Sequence, residues 1–277
     1  MRVAGIIPAR YASSRFNGKA LALIEGKTLI RRVYEKALSS RCLDELIVAT
    51  DDSRIVREVE GFGGKAALTS PGHRCGTERV AEVAEKTEAD LVVNIQGDEL
   101  VSSGEMIDEC VSPLLTDSLL NVSSLAVEIK DRHDLANPNV VKVVRDLNGH
   151  ALFFSRSVIP NTSFSSTSGV DIGPSIGAGI EGRSAGLDAH IEESAEGRVR
   201  FLRHVGIYGF RRTFLLDFVR LRQTPLELAE SLEQLRILEH GHRIAVVLTN
   251  HSCVGVDVPS DVEKVTCFLR SFDRSKA

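Results

Sequence analysis

Three basic residues follow the first apolar segment of the chain within a short stretch of small and polar residues. Arg10, Arg15 and Lys19 come after the apolar run 3–7, with serines and a glycine between them. Cations and free backbone N–H groups at the end of a buried strand are typical of sites that bind several phosphate groups. The stretch is not a P-loop, because Ala20 stands where that motif needs Ser or Thr. The pattern predicts a polyphosphate site or, alternatively, an ordinary basic loop.

Acidic residues follow two further apolar runs. Asp51 and Asp52 come after one of them, and Asp98 comes after another. Mg²⁺ in proteins takes one or two carboxylates together with phosphate oxygens. An acidic residue in this position can equally cap the helix that follows. We predict a helix cap for Asp51 or Asp52 and a metal ligand for Asp98, beside which Gly97 would allow a sharp turn.

A third polar segment, 69–79, is rich in turn-forming and hydroxyl residues and leads into a predicted helix near Thr77. A loop that carries Arg74 and Gly76 to a helix N-terminus is suited to contact a base edge or a second anion. A capped surface loop has the same composition. His73 is expected to be a solvated loop residue.

Apolar runs alternate with amphipathic segments in the first half of the chain. Strand-like runs lie at 3–7, 46–50, 65–68 and 91–95, and helical patterns lie at 28–39, 54–62 and 77–86. This alternation predicts a doubly wound, mostly parallel α/β sheet of the Rossmann-like type, whose ligands bind beyond the carboxyl ends of the strands. The second half predicts strands at 122–129, 140–144 and 244–248 and helices at 212–221, 225–240 and from about 260. The helix 225–240 is expected to be continuous, and its apolar residues Leu226, Ala229, Leu232, Leu235 and Ile237 are expected to face the core.

Composition limits the classes of function. The chain has 277 residues, 43% of them hydrophobic, which is enough for one large domain or two modest ones. A net charge of −4 gives no basic footprint for nucleic acid. No apolar stretch approaches the roughly 20 residues of a membrane span, and no leader pattern is present, so we expect a cytoplasmic chain. The five cysteines lack a Cys-x-x-Cys pair, which argues against a disulfide framework and a zinc site.

Longer motifs run through the chain from end to end. They read Pro-Ala-Arg-x-x-Ser-Ser-Arg-Phe-x-Gly-Lys at 8–19, Ala-Thr-Asp-Asp at 49–52, Thr-Ser-x-x-His-Arg-x-Gly-Thr-Glu-Arg-Val at 69–80, Val-Asn-Ile-Gln-Gly-Asp-Glu at 93–99, Ala-Leu-Phe-Phe-Ser-Arg-Ser-x-Ile-Pro at 151–160, His-Val-Gly-Ile-Tyr-Gly-Phe at 204–210, Ser-Leu-Glu-Gln-Leu-Arg at 231–236 and Gly-Val-Asp-Val-Pro at 255–259. Together these motifs resemble the sugar-acid cytidylyltransferases, in particular the branch that uses 3-deoxy-manno-octulosonate (Kdo). The motifs appear in the order of that family.

The resemblance implies a nucleotidyltransferase fold in a single domain, 1–277. Its core would comprise about 1–120 and 200–277, and a smaller α+β lobe at about 121–161 would support a homodimer. Only the segment 162–198 falls outside the motifs, and it is expected to be a flexible insertion or a lid over the sugar site.

The resemblance also implies the site residues. Nucleotide contacts fall on Ala9, Arg10, Arg15, Lys19, Arg74 and Gly76, and sugar-acid contacts fall on Gln96, Arg156, His204, Tyr208, Glu233 and Gln234. Asp98 and Asp257 would hold Mg²⁺ and, with Lys19, form the catalytic group. Without the resemblance, Arg156, Tyr208 and Glu233 would be interpreted as a surface ion pair, a core ring and an exposed helical charge.

The implied reaction is attack of the C2 hydroxyl of Kdo on the α-phosphorus of CTP, which releases pyrophosphate and makes CMP-Kdo for lipopolysaccharide synthesis. Such chemistry rests on positioning and charge neutralisation, and two separate acidic loops suggest a clamp of two ions. Asn17 and Leu100 replace prolines that are usual in the family, which predicts looser loops. The alternatives are the same reaction on 8-amino-Kdo or another sugar acid, and a weakened nucleotide binder without catalysis.

Overall fold

The computed structural model describes residues 1–12, 15–161 and 200–274. The strands are β1 (Val3–Ala9), β2 (Leu23–Ile24), β3 (Lys27–Thr28), β4 (Glu45–Thr50), β5 (Lys65–Leu68), β6 (Leu91–Asn94), β7 (Glu99–Val101), β8 (Val122–Glu128), β9 (Lys142–Arg145), β10 (Ala151–Ser155), β11 (Leu202–Arg211), β12 (Ile244–Leu248) and β13 (Cys253–Gly255). The helices are α1 (Leu29–Ala37), α2 (Ser53–Gly61), α3 (Gly76–Glu85), α4 (Glu105–Thr116), α5 (Arg132–Ala136), α6 (Arg212–Phe218), α7 (Pro225–Glu230), α8 (Gln234–Glu239) and α9 (Asp261–Arg274).

One nine-stranded sheet organises the described residues. Its main path runs β10-β9-β11-β6-β1-β4-β5, and β8 and β12 join it through β11. β1 pairs in parallel with both β4 and β6, and every residue of β1 is buried. β11 pairs antiparallel with β6 and β8, so the carboxyl ends of β1, β4, β6 and β8 lie along the same edge. Loops after these strands are therefore brought together at that edge.

The sheet has a hydrophobic layer on each face. Ile7 packs in the layer with Val33 of α1, and the neighbouring Ile6 packs in the layer with Val80 of α3. Successive side chains of a strand point to opposite faces, so β1 contributes to both layers. Burial on both faces explains why the first strand is a continuous apolar run rather than an alternating one.

The predicted α/β sheet is confirmed. The predicted elements of the first half appear within a few residues of their expected bounds, and Asp52 caps α2 by accepting a hydrogen bond from the Arg54 N–H. The strands predicted within 121–161 join the same sheet as the core. In the described ranges no helix is long and apolar enough to cross a membrane. The division into core and lobe stays a prediction, and the predicted insertion 162–198 lies outside the described residues.

A short antiparallel ladder joins two distant loops at the site edge. Glu99 in β7 lies opposite Gly255 in β13. Just outside the ladder, the Val256 N–H donates to the Asp98 carbonyl oxygen over 2.8 Å. Asp98 and Asp257, which are far apart in sequence, are therefore neighbours in space.

The prediction of one continuous helix over 225–240 is wrong. α7 ends at Glu230, Ser231 adopts a left-handed conformation with φ of 53°, and α8 begins at Gln234. Glu227 of α7 forms a buried ion pair with Arg236 of α8. Nine residues of straight helix would separate these side chains by about 13 Å along the axis, so the pair requires the chain to fold back.

The fold-back reverses the predicted burial in α7 alone, because Leu232, Leu235 and Ile237, which were also expected to face the core, are buried. Leu226 and Ala229, which were expected to face the core, are exposed, whereas Glu227 is buried. Glu227 also completes a capping box with Thr224 at the start of α7. A polar residue thus occupies the inward position because its carboxylate has three separate donors there.

Removal of one partner of this ion pair is expected to destabilise the fold. Arg236→Met leaves the Glu227 carboxylate buried without its partner, which should lower the free energy of unfolding by about 3–5 kcal/mol. The double variant Arg236→Met with Glu227→Met should recover most of that loss, because the Glu227 charge is then removed together with its partner. Urea titration measures both values, with Arg222→Met at an exposed arginine as the control. A single variant as stable as the wild type would refute this account of the bend.

Candidate active site

A cavity of about 370 Å³ opens at the carboxyl ends of β1 and β6. The N-terminus of α3 closes its far side. All six residues predicted to contact a nucleotide line this first cavity, and they are Ala9, Arg10, Arg15, Lys19, Arg74 and Gly76. Asp98 and Gln96 line it as well. The cavity therefore joins a cationic loop, a helix N-terminus and a carboxylate.

Gly97 makes this cavity possible. A Cβ atom on Gly97 would lie 2.6 Å from the carbonyl oxygen of Pro8, closer than any side chain can approach. Glycine therefore lets the turn after β6 lie directly against the end of β1. That contact sets the distance between the basic loop and Asp98.

Lys19 lies at the centre of the polar groups around the first cavity. Its ammonium forms an ion pair with Asp98 and donates a hydrogen bond to the Val256 carbonyl oxygen over 3.2 Å. The loop that carries Lys19 is closed by a hydrogen bond of 2.8 Å from the Gly18 N–H to the Tyr11 carbonyl. Only 13% of the Lys19 side chain is exposed, so this cation is held in place before any ligand arrives.

Arg15 and Asp257 form a second, more exposed ion pair. Arg15 Nη2 lies 2.9 Å from Asp257 Oδ1, and both side chains are more than half exposed. Ion pairs of this exposure contribute little stability and exchange partners readily. The backbone N–H of Asp257 is fixed by a hydrogen bond of 2.9 Å to Asp261 at the start of α9.

The two carboxylates suit Mg²⁺ better than a metal that needs a full protein cage. Asp98 and Asp257 are adjacent through the β7–β13 ladder, and each keeps a partly exposed carboxylate. Over residues 1–12, 15–161 and 200–274, no group of three or more His, Cys, Asp or Glu side chains is arranged to hold a metal. Mg²⁺ requires only one or two carboxylates when phosphate oxygens and water complete its shell.

A second, smaller cavity of about 70 Å³ adjoins the first. Four of the six residues predicted to contact the sugar acid line it, namely Gln96, Tyr208, Glu233 and Gln234. Gln96 lines both cavities and so lies where they meet. The bend between α7 and α8 holds Glu233 here, which a continuous helix would not do.

Burial shapes the acid–base properties of the second cavity. It raises the pKa of the Tyr208 phenol well above 10, so this hydroxyl stays a neutral donor. Within the described residues the buried Tyr208 hydroxyl oxygen has no hydrogen-bond partner. Burial also raises the pKa of Glu233, although hydrogen bonds from Thr77 and Cys75 and the charge of Arg236 oppose the rise.

The other two predicted sugar-acid residues, His204 and Arg156, are not among the residues that line these two cavities. His204 packs between the rings of Phe154 and Tyr208, and its Nε2 atom is 3.0 Å from Ser124 Oγ. Burial lowers the pKa of His204 to about 3, so the ring is neutral near pH 7. The Arg156 guanidinium donates to the carbonyl oxygens of Glu230 and Pro138, and its role in binding stays a prediction.

Comparisons with known proteins decide the family. The profile of the family described as cytidylyltransferase matches residues 4–244. The chain belongs to the cytidylyltransferase family. A relative from Geotalea daltonii named 3-deoxy-manno-octulosonate cytidylyltransferase is 47% identical over 96% of this chain and 97% of its own. A relative of the same name from Geobacter metallireducens is 47% identical over 98% of this chain and 99% of its own.

A solved structure agrees with these relatives. The structure of CMP:2-keto-3-deoxy-manno-octonic acid synthetase complexed with CTP has a TM-score of 0.82 and 36% sequence identity, and the match covers 98% of this chain and 99% of the other. The resemblance to the sugar-acid cytidylyltransferases and the nucleotidyltransferase fold are therefore confirmed.

Sequence reasoning missed several side chains at this cytidylyltransferase site. Arg79 lines the first cavity and forms an ion pair of 2.8 Å with Asp51, whereas the cap predicted for Asp51 or Asp52 is Asp52. His73 is not a solvated loop residue, because its Nε2 atom lies 2.7 Å from Glu82 and its side chain is only 19% exposed. Arg79 and His73 both belong to the motif at 69–80, and this motif is the sequence feature that could have indicated their place in the site. Cys75 donates to Glu233, and burial raises the pKa of its thiol to about 12.

Leu100, whose loosening effect on its loop stays a prediction, lies in β7. It is fully buried in the hydrophobic layer that includes α1 and lies opposite Val254 in the β7–β13 ladder. Its side chain therefore contributes packing that helps hold the turn carrying Asp98.

Proposed function

We propose that this chain transfers CMP from CTP to the C2 hydroxyl of Kdo and releases pyrophosphate. The observation that carries the proposal is the pair of adjoining cavities, one lined by the predicted nucleotide contacts and the other by predicted sugar-acid contacts, with Gln96 shared. The names of the relatives and the CTP in the related solved structure support the same substrates. The alternative of a weakened nucleotide binder without catalysis is less favoured, because Lys19, Asp98 and Asp257 are all present at the same edge of the sheet.

The residues of the chain act mainly by binding and orientation. Arg10, Arg15 and Lys19 bind the triphosphate, and the N-terminus of α3 with Gly76 approaches the nucleotide. Lys19 and Arg15 exchange their carboxylate partners for phosphate oxygens, which frees Asp98 and Asp257. These two carboxylates would then hold Mg²⁺, which when bound neutralises phosphate charge and lowers the pKa of the attacking hydroxyl. Gln96, Tyr208 and Glu233 orient the sugar acid through its hydroxyl groups.

Pyrophosphate release tests the substrates. We expect release with CTP, Mg²⁺ and Kdo, and little release when ATP, GTP or UTP replaces CTP. Lys19→Met should lower kcat/KM by about 100-fold or more, because it removes a fixed cation from the reacting phosphates. Lys27→Met, at a lysine outside the cavities, is the matched control. Preference for 8-amino-Kdo or N-acetylneuraminate would keep the reaction and change the substrate. Binding of CTP without pyrophosphate release in the presence of any of the sugar acids would favour the alternative of a nucleotide binder without catalysis.

Asp257→Asn tests the carboxylate pair. The variant should raise the Mg²⁺ concentration needed for half-maximal turnover by roughly 10–100-fold, because an amide is a weaker ligand for a hard cation. Titration of Mn²⁺ into the complex with CTP, followed by electron paramagnetic resonance, measures the same loss without turnover. Asp217→Asn, at an exposed carboxylate on α6, is the control. Unchanged Mg²⁺ dependence and unchanged Mn²⁺ affinity would remove Asp257 from the proposed metal site.

The proposal includes a homodimer in the cytoplasm. All five cysteines are free, which is typical of a reducing compartment. β10 forms one end of the main sheet path, and Leu152 on it is 61% exposed, so this edge is available for a second copy.

Sedimentation equilibrium tests the dimer. The mass should be twice the 30.2 kDa of the chain, and Leu152→Lys should shift it toward the monomer. Leu68→Lys is a matched control, because Leu68 is 62% exposed on β5 at the other end of the path. A monomeric wild type, or equal effects of the two variants, would refute this interface.

A further inference from the structure

A chain of hydrogen bonds among residues that line the second cavity connects two of the predicted sugar-acid contacts. Gln96 Nε2 donates to Asn94 Oδ1 over 3.1 Å, and Asn94 Nδ2 donates to Thr77 Oγ1 over 3.3 Å. The Thr77 hydroxyl then donates to Glu233 Oε2 over 2.8 Å. Asn94 is 1% exposed and Thr77 is 6% exposed, so the middle of this chain is shielded from water.

The hydrogen bonds in this chain all have a defined donor and acceptor. A threonine hydroxyl has a single proton, and the ionised carboxylate of Glu233 can only accept, so in that state the proton belongs to the bond with Glu233. Thr77 must therefore accept from Asn94, which fixes the Asn94 NH₂ group toward α3 and its carbonyl oxygen toward Gln96. That oxygen in turn binds the NH₂ group of Gln96 and leaves Gln96 Oε1 free for the cavities. The hydrogen-bond chain consequently presents an acceptor oxygen at each of its two ends, on Gln96 and on Glu233.

We infer that Thr77 and Asn94 are positioning residues that present Gln96 Oε1 and the Glu233 carboxylate to hydrogen-bond donors of the sugar acid. This inference rests on the proposed function for the identity of the substrate. Two acceptors that line one cavity select hydroxyl groups and repel a carboxylate. The carboxylate of the substrate is therefore oriented away from Gln96 and Glu233.

The charge on Glu233 depends on the same contacts. Cys75 Sγ lies 3.4 Å from Oε1, and Arg236 Nη2 lies 3.8 Å from it. Tyr208 on β11 and Glu227 on α7 are the other titratable groups that act on this carboxylate. Thr77 supplies the largest of the effects that lower the pKa of Glu233 against burial. Loss of the Thr77 hydroxyl should therefore raise that pKa.

Threonine variants test the inference by kinetics. Thr77→Val removes the hydroxyl and keeps the shape, and we expect about a tenfold rise in the KM for the sugar acid with the KM for CTP within twofold of wild type. The acid limb of kcat/KM for the sugar acid should move to higher pH, because Glu233 then ionises less readily. Thr77→Ser keeps the hydroxyl and should restore both values. Thr249→Val, at another buried threonine near the end of β12, is the matched control.

A second measurement does not require turnover. Carbon-13 NMR of labelled glutamate, with the Glu233 signal assigned through Glu233→Gln, should give a higher pKa for Glu233 in Thr77→Val and a wild-type pKa in Thr77→Ser and Thr249→Val. Thr77→Ala, which adds no atom, repeats the comparison if the valine variant does not fold. An unchanged Glu233 pKa, equal losses for serine and valine, or an equal rise in the KM for CTP would overturn the inference. Absence of turnover in the wild type would overturn the proposed function instead, and the NMR result would still decide the role of Thr77.

Discussion

The ion pair between Lys19 and Asp98 joins three parts of the chain that are far apart in sequence. Lys19 lies on the loop after β1, Asp98 lies in the turn after β6, and the Val256 carbonyl that also accepts from Lys19 precedes Asp257. The pair forms because β1 and β6 are parallel neighbours and because Gly97 lets the turn pass against Pro8. Each charged group at this edge lowers the free-energy cost of removing its oppositely charged partner from water. In the proposed function, the same groups exchange partners when a polyanion and a cation bind.

Partner exchange accounts for the mixture of charges at this edge. Arg15 with Asp257, Lys19 with Asp98 and Arg74 with Glu78 are each paired in the described structure. A site of unpaired cations would repel itself and widen, whereas paired groups keep the loops at a fixed separation. The pairs differ in exposure, with Lys19 the most shielded of the three cations. Arg15 and Arg74 can thus reorient toward a ligand at a low cost in free energy, while the position of Lys19 stays fixed.

The sequence predicted the parts of the fold that depend on local patterns. The buried strands and amphipathic helices of the first half repeat with periods that are visible in a short window, so their order and the site edge followed. The six residues predicted to contact a nucleotide line one cavity because they lie at or directly after the ends of those strands. The bend between α7 and α8 could not be predicted this way, since it depends on a buried ion pair between Glu227 and Arg236. Each side chain alone is compatible with a straight helix.

The contacts around Glu233 in the site could likewise not be predicted from local sequence patterns. The sequence indicates Glu233 and Gln96 only through a resemblance, and nothing in their spacing relates them to Thr77 or Asn94. Their connection needs β6, α3 and the α7–α8 bend to meet, with contacts that span 17 and 156 residues of sequence. Once they meet, the single proton of Thr77 fixes which atoms of Gln96 and Glu233 face the cavity. In the proposed function, specificity for a polyhydroxy acid thus depends on Thr77 and Asn94, which orient Gln96 and Glu233, as well as on the groups predicted to bind the substrate. It would be lost if the bend that carries Glu233 were straightened.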